Sequence, residues 1–474
     1  MRMPAAAGAA GERSIRRPNL SLLADRCETP RALARVHAAM LVSGRLADDA
    51  FAASRLLAAY AALSPAPAAA AAALALLSSL PCAPNSFMLN TTLRALASSP
   101  DPAAAFPFFS RLRAAAALAP GRHTFPFLLK AAARLPHPLP VACQLHALVV
   151  RRGVHLDAYV ANGLVRAYSA AGRIGAARRV FDEVPHRNAN LYTTMVSACA
   201  QNGRHEDAIG AFTEMVDEGF EPGGAALASV LSACARSASG GLQMGRRVHD
   251  LMEARGLTAP VGAVLGTALV DMYAKNGAIR EAVAVFDGMP ERLPATWNAL
   301  ISGLAHQGHG EHALAVFRQM QREDVPPNAT TLVGVLSACC HAGLLDEARR
   351  LFRSMEEDFG VTPGIQHCGC MVDLLGRAGL LQEAEEMIRG MACKADTVIW
   401  GALLTACKNH GNVEIAERAV EEMLRLDPSN HGVYVVLSNM YAEAGRWQDV
   451  DKLRKGMKGA RLSKIPGASA VAGQ

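Results

Sequence analysis

Apolar and polar residues follow one another along this chain with the period of amphipathic helices. Six times an alanine is followed, four residues later, by a large apolar residue, and positions i and i+4 share one face of an α-helix. The pairs are Ala177/Phe181, Ala208/Phe212, Ala282/Phe286, Ala313/Phe317, Ala348/Phe352 and Ala384/Ile388. The alanine lets a neighbouring helix approach closely and the large residue fills the gap, so each pair predicts a packed helix.

A glycine recurs in phase with these pairs, at intervals of 31 to 36 residues except for one of 74. The members are Gly172, Gly203, Gly277, Gly308, Gly343, Gly379, Gly411 and Gly445. Glycine adopts positive φ without steric cost, so it allows the chain to reverse between two helices. The interval of 74 predicts one degenerate repeat inside it. A lone helical hairpin cannot bury its apolar face, so the pattern indicates stacked hairpins.

Composition agrees with a repeat array of helices. The 474 residues exceed what one compact core usually holds, and the 51% apolar fraction is mostly Ala and Leu with only 5% aromatics. The net charge of +6 suits an anionic partner. The most apolar run, residues 66–77, contains a proline and is too short to span a membrane.

The eleven cysteines show no disulfide spacing, which favours a reducing compartment. Four of them occupy one position of the first helix, where other repeats have tyrosine or leucine. They are Cys199, Cys234, Cys339 and Cys407, and the alternatives are Tyr168, Tyr273, Leu375 and Tyr441. This exchange predicts core packing. Three histidines, His37, His146 and His249, recur about three repeats apart. We interpret them as one structural position, too widely separated to share a metal.

The amino-acid sequence of the repeats resembles that of the plant pentatricopeptide-repeat (PPR) family, in the class in which standard, long and short repeats alternate (PLS). The segments that carry the resemblance are residues 157–188, 266–293 and 296–328. The resemblance implies an all-α fold, a right-handed superhelical solenoid of helix-turn-helix repeats. The C-terminal segments Thr397–Asn430 and His431–Ser463 resemble the family's extension (E) motifs. The sequence given ends near the point where many members continue into a cytidine-deaminase-like DYW domain, which the resemblance implies is absent.

The resulting domain prediction has five parts. They are residues 1–26 as a probable transit peptide or disordered N-terminus, 27–157 as degenerate repeats, 158–396 as PLS repeats (158–188, 189–223, 224–262, 263–293, 294–328, 329–364 and 365–396), 397–463 as E motifs and 464–474 as a tail. The first segment is rich in Ala and Arg and poor in acidic residues, as transit peptides are. We therefore expect a mitochondrial protein, with the chloroplast as the alternative.

The resemblance assigns base reading to the fifth residue of each first helix and the last residue of each repeat. The residues in these positions are Asn90, Asn162 with Asn188, Thr193 with Gly223, Thr267 with Leu293, Asn298 with Asn328, and Gly369 with Asp396. Asn at the fifth position implies a pyrimidine and Thr a purine. Long repeats have Pro126, Ala228 or Val333 there and are expected to act as spacers. The implied footprint is Y-n-Y-R-n-R-Y-n-n. Taken singly, each Asn or Thr is equally an exposed helix start or cap.

These assignments imply a sequence-specific binder of single-stranded organelle RNA that selects sites for C-to-U editing. A DYW-type deaminase partner would act in trans through the E motifs.

We expect no catalytic site, cofactor or metal. His309-Gly310-Glu311 has the H-x-E pattern of zinc deaminases, but the sequence has no C-x-x-C, and Cys368-Gly369-Cys370 lacks a companion pair. We expect neither a membrane nor a small-molecule substrate. The alternatives are a binding-only RNA factor for splicing, stability or translation, and a tetratricopeptide-like scaffold for proteins.

Overall fold

The computed structural model describes residues 20–63, 66–80, 82–114, 119–256 and 262–459. These residues form 27 α-helices and one 3₁₀ turn, Pro102–Ala104, with no strand among them, which confirms the all-α solenoid prediction. The chain divides into two compact units, Met1–Ala233 and Cys234–Gln474. Much of the predicted transit segment (1–19) and the whole predicted tail lie outside the described residues.

The first unit consists of hairpins whose first and second helices alternate along the chain. Its helices are α1 (Leu20–Asp25), α2 (Pro30–Val42), α3 (Arg45–Asp48), α4 (Ala50–Leu63), α5 (Ala66–Ser79), α6 (Ser86–Ser98), α7 (Ala105–Ala114), α8 (Phe125–Ala132), α9 (Pro138–Arg151), α10 (Ala158–Ala170), α11 (Ile174–Glu183), α12 (Ala189–Gln201) and α13 (His205–Asp217). Helix α14 (Gly224–Cys234) ends at the first residue of the second unit.

The second unit repeats the same arrangement. Its helices are α15 (Gly241–Ala254), α16 (Ala263–Lys275), α17 (Ile279–Gly288), α18 (Pro294–His306), α19 (Gly310–Arg322), α20 (Ala329–Ala342), α21 (Leu345–Phe359), α22 (Ile365–Arg377), α23 (Leu381–Arg389), α24 (Thr397–His410), α25 (Val413–Leu426), α26 (Gly432–Glu443) and α27 (Trp447–Gly459). None of the helices in the described ranges is long and apolar enough to cross a bilayer.

Each first helix packs against its own second helix and against the first helices of the neighbouring hairpins. In the first unit α10 contacts α11, α8 and α12, and in the second α18 contacts α19, α16 and α20. The hairpins therefore bury their apolar faces against one another, as expected of a repeat array. Successive first helices contact one another from α4 to α12 in the first unit and from α16 to α24 in the second, and these two rows position the candidate site.

The eight periodic glycines confirm the prediction of helix reversals. All have φ between 67° and 79°, a left-handed conformation that L side chains avoid. The degenerate repeat inside the 74-residue interval turns at Gly240, which also has a φ of 71°. The alanine and large apolar pairs are buried as predicted, except that Phe352 is only half-buried.

The four periodic cysteines are confirmed as core residues. Cys199, Cys234, Cys339 and Cys407 are free thiols with fully buried side chains. Burial raises the pKa of Cys234 to about 12 and of the other three to about 11. A thiol with such a pKa stays protonated at neutral pH and is a poor metal ligand or nucleophile.

The three periodic histidines occupy one structural position, as interpreted. Each lies on a second helix and hydrogen-bonds through Nδ1 to a tyrosine hydroxyl of the following first helix. The pairs are His37–Tyr60 at 3.2 Å, His146–Tyr168 at 2.8 Å and His249–Tyr273 at 2.9 Å. The rings meet edge to face in all three pairs. This contact fixes the packing of a hairpin against its successor.

The folded region reaches into the segment predicted as a transit peptide. Residues Leu20–Asp25 form α1, and the side chain of Ala24 is buried in an apolar cluster with Leu33 and Leu56. The Asp25 carboxylate pairs with Arg55 on α4. The apolar sequence LSLLAD therefore contributes to the first hairpin.

Candidate nucleic-acid interface

The predicted fifth-position residues occupy equivalent places on the first helices of the two units. Asn90, Asn162, Thr193, Thr267, Asn298 and Gly369 are the fifth residues of α6, α10, α12, α16, α18 and α22. The spacer residues Ala228 and Val333 are the fifth residues of α14 and α20. Pro126 differs, because α8 begins only at Phe125. Thr124 and a turn before it replace the first helical turn there.

The predicted last residues lie immediately before the next first helix, where a polar side chain can cap it. Asn188 accepts a hydrogen bond from the backbone N–H of Leu191 at 2.9 Å. Asp396 accepts from the N–H groups of Val398 and Ile399. These oxygens are committed to helix capping, so the cap alternative noted for single positions is realised here. A base would meet only the remaining groups of these side chains.

The other last residues divide into one cap and two positions without a polar side chain. Asn328 caps α20 in a capping box with Thr331. Gly223 has no side chain, and Leu293 precedes α18 without a side-chain cap. Neither can donate or accept through a side chain, so their repeats depend on the fifth residue alone.

The fifth-position asparagines differ in how far their amides are already engaged. The side-chain oxygens of Asn90 and Asn162 are buried and lack a hydrogen-bond partner among the described residues. An unpaired buried acceptor costs roughly 1–3 kcal/mol, which a ligand that satisfies it would recover. The Asn298 amide is instead engaged: its oxygen accepts from Thr331 at 2.6 Å and its nitrogen donates to Asn328 at 3.2 Å. The structure thus joins the predicted pair Asn298 and Asn328 directly.

The threonine positions are turned towards their own helices. The Thr193 hydroxyl donates to the carbonyl of Ala189 at 2.8 Å, and the Thr267 hydroxyl to that of Ala263 at 2.7 Å. Thr267 also contacts the hydroxyl of Thr296 on α18 at 2.6 Å. A hydroxyl that donates to the backbone keeps its lone pairs, so both threonines can still accept from a purine amino group. Gly369 offers no side chain.

Sequence reasoning missed a second row of residues on the same face. The residue four positions after each fifth-position residue lies one helical turn beyond it, because i and i+4 share a face. In α6, α8 and α10 the residues there are Arg94, Lys130 and Arg166. The four-residue spacing from Asn90, Pro126 and Asn162 was the signal that could have revealed them.

The residues that partly match the zinc-deaminase pattern in sequence do not form a metal-binding cluster in the described part of the chain. His309 precedes α19, and Glu311 is an exposed residue of its first turn. Cys368 is buried, and burial also raises the pKa of Cys370 to about 11. No group of three potential metal ligands occurs in the part of the chain that the structure describes.

Comparisons with known proteins identify the family. The PPR repeat model matches residues 191–220, 267–292, 331–358 and 367–394, a second PPR repeat family model matches 294–341, and the E motif model matches 410–472. A pentatricopeptide repeat-containing protein of Arabidopsis thaliana is 37% identical over 427 residues, covering 82% of this chain and 79% of the relative. This chain belongs to the pentatricopeptide-repeat family. The E motif match begins later than the predicted Thr397, in the last residue of α24.

Other relatives are longer than this chain. An Arabidopsis PPR protein named chloroplastic/mitochondrial is 38% identical over 399 residues, covering 82% of this chain and 62% of that protein. Another, named mitochondrial, is 42% identical over 328 residues, covering 69% of this chain and 49% of that protein. The crystal structure of the pentatricopeptide repeat protein PPR10 from maize matches with a TM-score of 0.51 and 17% identity, covering 94% of this chain and 73% of that chain. The last likeness supports the PPR fold.

Proposed function

We propose that this PPR protein binds one single-stranded RNA of an organelle and marks a site for C-to-U editing. The observation that supports RNA binding most directly is the pair of side-chain amide oxygens at Asn90 and Asn162 that lack a hydrogen-bond partner among the described residues. Both occupy the position that the family uses to choose a base. Helical-repeat proteins read one base per repeat with two or three side chains, and an amide supplies a donor and an acceptor for a Watson–Crick edge.

The editing role rests on the extension motifs. The E motif match, residues 410–472, lies C-terminal to the last PPR repeat match, which ends at residue 394. Deamination of cytidine requires a zinc-bound water held by three protein ligands and a nearby glutamate. The proposal places this chemistry on a partner that carries a DYW domain and acts in trans. The protein itself supplies binding energy and register, and the region of α24–α27 is the proposed docking surface.

The compartment in this proposal is the mitochondrion, with the chloroplast as the alternative. The relatives include proteins named mitochondrial and chloroplastic/mitochondrial. The Arg- and Ala-rich start of the chain supports import into one of these organelles.

Loss of the protein in a plant is expected to abolish editing at one or a few cytidines of organelle transcripts. The measurement is transcriptome-wide sequencing of organelle RNA from plants with and without the protein. Unedited cytidines preceded by a sequence that fits Y-n-Y-R-n-R-Y-n-n would support both the editing role and the base-reading positions. Intact editing, combined with a changed intron, transcript end or abundance, would favour a binding-only RNA factor. If organelle RNA is unchanged in plants without the protein, and the purified protein binds a peptide, the tetratricopeptide-like scaffold would be favoured.

Replacing Asn162 by threonine is expected to change the preferred base at the third footprint position from a pyrimidine to a purine. The shorter hydroxyl replaces the amide, and the family's preference changes accordingly. We expect the ratio of affinities for CUCAUACUU and CUAAUACUU to shift by about tenfold, equivalent to one or two hydrogen bonds. Fluorescence anisotropy with labelled RNA measures this ratio.

The matched control is Asn409→Thr, at an exposed position near the end of α24 and outside the fifth-position row. It should leave both affinities unchanged. An Asn162→Thr variant that keeps the wild-type ratio would contradict the assignment of this position.

A further inference from the structure

The position four residues after the fifth-position residue holds a cation in three successive first helices of the first unit. Arg94 on α6, Lys130 on α8 and Arg166 on α10 are exposed, and each follows a fifth-position residue by one helical turn. Helix α6 contacts α8, and α8 contacts α10, so the three side chains follow one another along the row. We refer to them below as the basic row.

No acidic side chain neutralises the basic row. Helices α6, α8, α10 and α12 contain no Asp or Glu. Within the described residues, neither Arg94, Lys130 nor Arg166 has a carboxylate at ion-pair distance, and the Lys130 ammonium donates instead to the Ser98 hydroxyl at 2.8 Å. On the second helix α11, by contrast, Arg178 pairs with Asp182 and Glu214. An uncompensated row of charge is unfavourable unless an anion binds it.

The basic row borders a groove that also reaches a base-reading position. The groove has a volume of about 620 Å³ and is lined by Lys130, Arg134 and Arg166 together with Thr193. Partial burial lowers the pKa of Lys130, and the positive charges of Arg134, Arg166 and Arg94 lower it further. The Arg134 guanidinium is held in place by the carbonyl of Ala97 at 2.6 Å. The cations thus repel one another across a space that is open to a ligand.

The second unit has no such row. There the ninth residues of α16 and α22 are Asp271 and Asp373, and each pairs with a cation one turn further along its helix. Asp271 pairs with Lys275 at 2.8 Å and Asp373 with Arg377 at 3.1 Å. These helices therefore present neutral ion pairs where α6, α8 and α10 present free cations.

We propose that Arg94, Lys130 and Arg166 bind successive phosphates of the RNA, so that the first unit supplies the sequence-independent part of the affinity. This inference rests on the proposed function and deepens it. A strand that offers one base to each fifth position passes one phosphate per repeat, and the cation one turn away lies beside it. Phosphate contacts hold a strand in position but carry no sequence information. The first unit thus anchors the strand through its backbone, in addition to the bases read at Asn90 and Asn162.

The test is the salt dependence of RNA binding by the full chain with Arg94→Gln, Lys130→Gln and Arg166→Gln combined. Counterion release makes log K fall with log[salt] with a slope of about −0.7 per phosphate neutralised on single strands, so we expect the slope to flatten by about 2. We also expect affinity for CUCAUACUU and for the mismatched CUAAUACUU to fall by the same factor, about tenfold or more at low salt. The three side chains are exposed, so circular dichroism should report an unchanged helix content.

A second triple variant, Arg111→Gln, Arg151→Gln and Arg179→Gln, removes the same charge from exposed positions of the second helices α7, α9 and α11. It should keep the wild-type slope. Equal slopes for the two triple variants, with sequence-specific binding by the wild type, would overturn the phosphate assignment and leave the proposed function intact. A wild type that does not bind RNA would refute both. If the Arg94, Lys130 and Arg166 triple variant loses binding to polyglutamate but keeps binding to RNA, the basic row would be assigned to an acidic protein partner instead.

Discussion

Replacing Glu385 by alanine is expected to lower the free energy of unfolding of the C-terminal helices by about 1.5–3 kcal/mol, because it removes the charge-assisted hydrogen bonds that two partly exposed guanidinium groups donate to a buried carboxylate. Glu385 lies on α23 and is only 3% exposed. Arg418 on α25 donates to it at 2.6 and 2.9 Å, and Arg389 donates at 2.9 Å. The Arg389 guanidinium also lies over the ring of Trp400 on α24. The Glu385 carboxylate therefore links α23 to α25 through Arg418, and it positions Arg389 of α23 against Trp400 of α24.

The pH dependence of stability gives a second readout of the same contact. Hydrogen bonds from Arg418, and then from Arg389, hold the pKa of the Glu385 carboxyl below its ordinary value of 4.5, although burial opposes them. A depressed folded-state pKa means that the stabilisation is present above the unfolded pKa and is lost as pH falls through the lower folded value. Wild-type protein should therefore lose stability below about pH 4.5 more steeply than Glu385→Gln.

The matched control is Glu421→Ala, which removes an exposed partner of Arg425 within the single helix α25. Exposed ion pairs contribute at most about 1 kcal/mol, so this variant should unfold nearly as the wild type does. Hydrogen exchange of α23–α25 together with denaturant titration measures both variants. Equal exchange rates in Glu385→Ala and Glu421→Ala would show that the buried carboxylate does not hold these helices.

The position of Glu385 gives this contact a functional consequence. It lies within a PPR repeat match, 367–394, whereas Arg418 lies within the E motif match, 410–472. Repeat proteins transmit stability through nearest-neighbour interfaces, so loss of this link should loosen the extension motifs before the repeats. Under the proposed function, Glu385→Ala should therefore reduce editing more than it reduces RNA affinity.

The repeat architecture could be predicted because its signals are local. A glycine needed at positive φ and an alanine four residues before a large apolar residue each follow from the geometry of one hairpin. The signals fail between Ala47 and Ala119, where the sequence is rich in alanine and has no turn glycine. There the chain turns after Ser99 through a 3₁₀ segment, Pro102–Ala104, which has no counterpart in the other described repeats.

Whether the side chain at each base-reading position is already hydrogen-bonded could not be predicted, because this depends on contacts between repeats. Asn162 and Asn298 occupy the same position of the same kind of helix, yet only Asn298 meets a threonine of the next first helix. The difference lies in Thr331, 33 residues further along the chain. The repeat period identifies the slots, but it does not reveal which amides remain free for a base.

Replacing Gly303 by valine is expected to lower the stability of the second unit by about 3 kcal/mol, the upper part of the range for overpacking a close contact. Gly303 is buried on α18, and an added Cβ would collide with the Cβ of Ala274 on α16 and approach its Cα at 3.2 Å. Because backbone atoms are involved, a change of rotamer cannot relieve the clash and the two helices must separate. Separation would break the hydrogen bond between Thr267 and Thr296, which lies beside two base-reading positions.

Gly210→Val is the matched control, since Gly210 is an exposed residue of α13 and an added Cβ would meet nothing within 4 Å. Valine has a higher helix propensity than glycine, so this change should be neutral or slightly stabilising, within about 0.5 kcal/mol. Thermal unfolding measures both variants, and hydrogen exchange of α16 and α18 locates the effect. If Gly303→Val unfolds at the wild-type temperature, the close approach of these first helices does not set their spacing. If it is destabilised as expected, its discrimination at the Thr267 and Asn298 positions should fall while the salt dependence of RNA binding, which the first unit supplies, stays unchanged.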